Sequence, residues 1–178
     1  QEREMVRVSA ATNEIATDEF IRAKIKEKDI LAVSAAVAEE ANRRDLYSVI
    51  AIDEDGIVLS RSAMPSKRGD YIFDKTDWGL TLARGQSFFG FGTSIADTSL
   101  LLRGAVPLVE SGKITGAVSV FQLLDDAYAV RMRGEDLPES EIAFYMPSGI
   151  VSSSFGDEAS RQRLTALFPD AEGISSLI

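Results

Sequence analysis

The sequence predicts an α+β fold: a long N-terminal helix, an antiparallel sheet of five strands, and a small or incomplete second α/β lobe. Residues 3–28 contain neither Gly nor Pro and are rich in good helix formers. From residue 47 onward, the spacing of apolar residues changes to that of strands. Turn signals at 53–56 and 110–113, each with a Gly, join neighbouring strands into hairpins.

The N-terminal part is predicted to be helical up to residue 45. A first helix is expected over 3–28, and a second over 30–44 with Asp29 as its N-cap. The apolar stripe of the first helix is not a sustained heptad, but it is compatible with a homodimer that forms through this helix.

The predicted sheet occupies residues 47–123. Its first hairpin joins strands at 47–52 and 57–61, and Gly56 supplies the positive φ of the turn. A short helix at about 74–84, with Asp74 as cap, interrupts the irregular segment that follows. The remaining strands are predicted at 88–93, 100–109 and 114–123.

A second lobe is indicated by the end of the chain. A short helix and a polar linker over 124–138 precede a third hairpin, built from 141–146 and 150–155. A final helix is expected at 157–167 with Asp157 as cap. The predicted domains are therefore a helical region (1–45), a lobe built on the five-stranded sheet (46–133) and a small or truncated lobe (139–178).

Composition excludes several functions. The net charge of −9 makes binding to nucleic acid improbable, because the surface repels phosphate. The chain has neither His nor Cys, which removes thiolate zinc sites, hydrolytic triads and cysteine nucleophiles. We therefore predict no enzyme, no catalytic residue, no cofactor and no metal site. The sequence contains no apolar run of about 18 residues, and it reads as a part of a longer protein.

Arg103 is the first candidate for binding a ligand. It is the one charge in the apolar run from Leu100 to Ala105, where a buried guanidinium needs a partner. The functional interpretation is that Arg103 holds a ligand carboxylate in a bidentate pair. The structural alternative is a pair with Asp97, Asp70 or a helix carboxylate.

Further candidates come from the segment around the predicted short helix and from the strands. Arg61 ends the second strand, where it either binds ligand or faces solvent. Aromatic residues are concentrated in 71–91, as in a pocket wall or in a small core under a loop. The aromatic candidates are Tyr71, Trp78 and Phe91, and the hydroxyl candidates are Thr93 and Ser119, for which ordinary strand packing is the alternative.

Five segments together resemble the double-Cache members of the Cache superfamily of sensors. They are VIAIDEDGIVLSRS (49–62), RGD (68–70), LARGQ (82–86), LLLRGAVPLVESGKITGAVSV (100–120) and IAFYMPSGIVSSS (142–154). The resemblance implies a PAS-like sheet and an extracytoplasmic domain between transmembrane helices of a histidine kinase or chemotaxis receptor. It also implies a small-molecule ligand, for which we expect a carboxylate or an amine metabolite.

Other interpretations remain open at this stage. The same fold serves as a ligand-free module for dimerisation or for binding a periplasmic partner protein. An intracellular PAS-like or GAF-like regulatory domain is a further alternative. An enzyme working with carboxylates alone is the weakest, because no paired acidic spacing stands out.

Overall fold

The computed structural model describes residues 2–93, 99–136, 140–146 and 149–167. These residues fall into two units: residues 1–92 with 102–122, and residues 93–101 with 123–178. The domain limits expected from the sequence, 1–45, 46–133 and 139–178, stay a prediction. Among the described residues, no helix is both long and apolar enough to cross a membrane.

Three helices open the first unit: α1 (Glu2–Thr17), α2 (Glu19–Lys26) and α3 (Ile30–Arg43). The single helix predicted over 3–28 is wrong, because it breaks at Asp18. Asp18 has an extended backbone, and its carboxylate accepts a hydrogen bond from the Ile21 amide as the N-cap of α2. The N-cap predicted at Asp29 is confirmed, since its carboxylate accepts from the Ala32 amide.

The predicted five-stranded antiparallel sheet is confirmed, with strand order β2-β1-β5-β4-β3. The strands are β1 (Ser48–Asp53), β2 (Val58–Arg61), β3 (Phe88–Thr93), β4 (Leu100–Glu110) and β5 (Lys113–Leu123). Gly56 has the expected positive φ of 81° in the first hairpin turn. The short helix α4 (Asp77–Ala83) is capped by Thr76, which corrects the predicted cap at Asp74.

One face of the sheet, which we call the helix face, packs against α1, α2 and α3. Ser60 of β2 contacts Ser34 of α3 on this face, with 2.9 Å between the hydroxyl oxygens. Gly104 of β4 lies so close to Thr12 of α1 that a Cβ at this position would clash with the Thr12 hydroxyl. Close packing on the helix face therefore depends on small residues in the strands, such as Ser60 and Gly104.

We call the opposite face the site face. Ile50 pairs with both Arg61 and Ser119 across the neighbouring strands, so these three side chains point to the same side. Phe121 follows Ser119 by two residues and therefore shares this face. Arg103 lies over the Phe121 ring, which places Arg103 on the site face as well.

The second unit contains α5 (Asp126–Asp136), the hairpin β6 (Ala143–Met146) and β7 (Gly149–Ser153), and α6 (Glu158–Leu167). The third hairpin is therefore confirmed. The predicted cap of the last helix is also confirmed, because the Asp157 carboxylate accepts from the Ser160 amide at 2.7 Å. Ser153 at the end of β7 donates its amide to Asp126, which ties the hairpin to the start of α5.

Candidate functional site

The Arg103 guanidinium lies against two aromatic rings on the site face. Its central carbon is 4.9 Å from the centre of the Trp78 ring and 4.6 Å from that of Phe121. The two rings meet edge to face, with centroids 6.0 Å apart and planes at 84°. Such contacts attract a cation to the electron-rich ring face and fix the direction of the side chain.

Helix α4 positions Trp78 through the residue that follows it. A Cβ at Gly79 would clash with the carbonyl oxygen of Ile72, so only glycine permits this close packing of the helix. Thr76 caps the helix by accepting the Gly79 amide at 3.0 Å. Trp78 is consequently held with only 5% of its surface exposed.

Arg103 is a partly buried cation without a counterion in the part of the chain that the structure describes. Its Nε is buried and has no hydrogen-bond partner there. Burial lowers the pKa of Arg103 to about 10, because the charged form loses part of its hydration. Of the predicted structural partners, Asp97 lies outside the described residues and Asp70 pairs with Arg61 instead.

Among the described residues, Arg61 has a carboxylate partner, in contrast to Arg103. Its guanidinium donates to the Asp70 carboxylate and to the Lys67 carbonyl, both at 2.6 Å. The side chain of Arg61 is mostly buried, so the solvent-facing alternative does not describe it. This arrangement anchors the 62–70 loop to the edge of the sheet.

The structure does not bring all the predicted site residues together. Ser119 lies on the site face, but its buried hydroxyl donates to the Gly104 carbonyl at 3.0 Å. Tyr71 forms an isolated bridge with Ile57, and its side chain is 42% exposed. Neither residue contacts the Arg103 guanidinium in any contact that the structure describes.

Two residues of strand β3 that were predicted to line the site, Phe91 and Thr93, do not lie beside Arg103 on the site face. Phe89 lies near Gly104 on the helix face, and alternation along the strand gives Phe91 the same orientation. Thr93 ends β3 and falls in the second unit. Gly92 of β3 lies next to the guanidinium, since a Cβ there would be 3.4 Å from an Nη of Arg103.

Sequence reasoning missed Phe121 and Gly92. Phe121 had a usable signal, because it follows the candidate Ser119 by two residues and therefore shares its face. Gly92 had none, since its role depends on the approach of a side chain from the neighbouring strand.

The fold is shared with solved sensor domains at low sequence identity. The sensor domain of the histidine kinase DctB from V. cholerae has a TM-score of 0.66 and 13% identity, covering 93% of this chain and 69% of that one. The E. coli DcuS sensor domain has a TM-score of 0.56 and 18% identity, covering 68% and 89%. The sensory domain of the Campylobacter jejuni chemoreceptor Tlp3 with isoleucine bound has a TM-score of 0.57 and 18% identity, covering 93% and 70%.

The search of curated proteins gave no match. A family model does match, over residues 2–167, and it is described as the double sensory domain of two-component sensor kinase. The match confirms the predicted PAS-like Cache fold and a sensory function, and it supports the prediction that this domain is not an enzyme. The chain therefore belongs to the dCache_3 family of double sensory domains.

Proposed function

We propose that the site face around Arg103 binds a small molecule with a carboxylate group, and that the chain is the extracytoplasmic sensing part of a membrane receptor with flanking transmembrane helices. The observation that carries the proposal is the buried Arg103 Nε without a hydrogen-bond partner in the described residues. A buried charge is costly unless it is paired, and a ligand anion would supply the pair.

A carboxylate suits this arrangement better than other groups. The planar guanidinium offers a fork of N–H donors that matches two carboxylate oxygens. Trp78 and Phe121 provide apolar walls for the rest of the ligand, as in small-molecule pockets generally. The isoleucine and valine seen in the Tlp3 structures each carry a carboxylate, which agrees with this ligand class.

Signalling requires that the ligand favour one state of the domain over another. In the proposed mechanism, the ligand pairs with Arg103 and draws β4 and α4 together. The Gly104 backbone then shifts relative to Thr12, with which it is in close contact, so the change reaches α1 on the helix face.

A thermal-shift screen with aliphatic mono- and dicarboxylates and with amino acids tests the proposal. A ligand at about 100 times its Kd stabilises the folded state by about 2.7 kcal/mol. The Arg103→Met variant should show no thermal shift with these ligands. In the parent chain, primary alcohols of the same length should also produce no shift, because they lack the carboxylate. If Arg103→Met binds the best carboxylate as tightly as the parent chain, Arg103 is not the anchor.

The second candidate function, a ligand-free module that dimerises through α1, is favoured by exposed apolar side chains. Val6 of α1 is 65% exposed and Phe20 of α2 is 55% exposed, although other residues of these helices are buried. Sedimentation equilibrium on the chain and on Val6→Glu tests it. Ligand-independent dimers that Val6→Glu dissociates, together with a screen that yields no ligand, would favour this function over sensing.

A further inference from the structure

The second unit contains an open cavity of about 260 Å³, and none of the described residues that line it is among those that contact Arg103. Its apolar wall comes from Leu100 at the start of β4, Leu123 and Leu124 at the end of β5, and Val151 of β7. Engineered apolar cavities of about 150 Å³ accept a benzene molecule, so this volume is sufficient for a small organic ligand.

Polar groups line the remainder of the cavity. The Asp125 carboxylate caps α5 through one oxygen, which accepts the Tyr128 amide at 2.8 Å. No basic side chain pairs with Asp125 among the residues that the structure describes. Ser152 is only 3% exposed and donates its hydroxyl hydrogen to the Leu124 carbonyl, so it offers lone pairs to a guest as an acceptor.

The charges around the cavity select a cation. Asp125 and Asp126 both line it, and its described lining residues include neither Lys nor Arg. The start of helix α5 contributes a positive partial charge of only about half a unit. The carboxylates therefore outweigh the helix dipole, and an anionic guest would be repelled.

We propose that this cavity is a second ligand site, which takes a small primary amine with an apolar body. The ammonium group binds Asp125 and the Ser152 hydroxyl oxygen, and the hydrocarbon part lies against Leu100 and Val151. This site differs from the carboxylate site proposed around Arg103, because its residues belong to the other unit and its ligand has the opposite charge.

Titration of the chain with butylamine and benzylamine, followed by calorimetry and by thermal shift, tests this proposal. Butyrate and butanol serve as probes of the same size without the positive charge. Both amines should bind, whereas butyrate and butanol should not bind measurably over the same concentration range. Amine binding that butanol matches would show that the carboxylates do not select the ligand, and the proposal would be wrong.

Asp125→Asn is the decisive variant, because asparagine keeps the helix cap while removing the charge. It should weaken amine binding about two- to fivefold, since the ammonium group loses an ion pair with a carboxylate that is exposed to solvent. Asp157→Asn is the matched control: Asp157 also caps a helix of this unit, but it does not line the cavity. Equal losses in the two variants, or none in Asp125→Asn, would overturn the proposal.

Arg103→Met separates this proposal from the previous one. It should leave amine binding unchanged while abolishing carboxylate binding. Loss of amine binding in Arg103→Met, with Asp125→Asn unaffected, would assign the amine to the site face and refute a second site.

Discussion

Replacing Arg103 with Met should make the ligand-free domain more stable. Methionine has a similar length and an apolar end that can pack against Trp78 and Phe121. The substitution removes a buried charge that has no carboxylate partner in the described residues. A residue kept for binding often costs stability in this way, whereas a residue kept for structure does not.

The size of this stabilisation follows from the pKa of Arg103. Burial lowers the pKa of Arg103 to about 10, so folding disfavours the charged form. The cost is at most about 3 kcal/mol at 1.36 kcal/mol per pKa unit, because the part of the side chain that still contacts water is screened. Cation–π attraction to the two aromatic rings stabilises the charged form by about 1 to 2 kcal/mol and offsets part of this cost. Arg103→Met should therefore raise the free energy of unfolding by about 1 to 2 kcal/mol, or the Tm by about 2 to 8 °C.

Urea denaturation of the ligand-free chain at neutral pH measures this difference, and Arg61→Met provides the control. Arg61 has an ion pair with Asp70 and a hydrogen bond to the Lys67 carbonyl. Its replacement should lower the free energy of unfolding by up to about 1 kcal/mol, because an ion pair with a largely exposed carboxylate is lost. If Arg103→Met is destabilised as much as Arg61→Met, the guanidinium is structural and the reasoning is refuted.

Three further outcomes are expected. The free-energy cost of burying charged Arg103 is fully present below its folded pKa of about 10 and decreases as the pH rises through that value. The difference in free energy of unfolding between Arg103→Met and the parent chain should therefore become smaller between about pH 9 and 11, as measured by urea denaturation. Gly104→Ala should lose about 1 to 3 kcal/mol by overpacking against Thr12, and the double variant with Thr12→Ala should recover part of the loss in a double-mutant cycle. Asp53→Ala should lose about 1 to 3 kcal/mol in urea denaturation, because one Asp53 oxygen accepts two amides of the first hairpin turn; an unchanged midpoint would contradict that role.

Much of the fold could be predicted because its signals are local. A turn containing glycine predicts each hairpin, and Gly56 has the positive φ that its turn requires. The break between α1 and α2 could not be predicted, because residues 3–28 contain no helix-breaking residue. Asp18 is compatible with a helix interior, and only the three-dimensional path of the chain makes it a cap.

The candidate site was harder to predict because its parts come from distant elements. Arg103 and Trp78 were visible as unusual residues in their own segments, but nothing in the sequence pairs one with the other. Phe91 was assigned to the site by composition alone. Its orientation depends on the register of β3, and a shift of one residue reverses the face to which a side chain points.

Arg61 and Arg103 show why the type of residue and the face of the sheet do not suffice to identify a binding group. Both arginines project from the site face, and both are largely removed from water. Asp70 in the following loop neutralises Arg61, so that guanidinium has nothing further to gain from a ligand anion. Arg103 faces aromatic rings, which attract a cation but supply neither a negative charge nor an acceptor for its Nε. Because Arg103 lacks a counterion among the described residues, its charge raises the free energy of the ligand-free domain. A carboxylate that pairs with Arg103 removes this cost, and the free energy recovered contributes to its affinity.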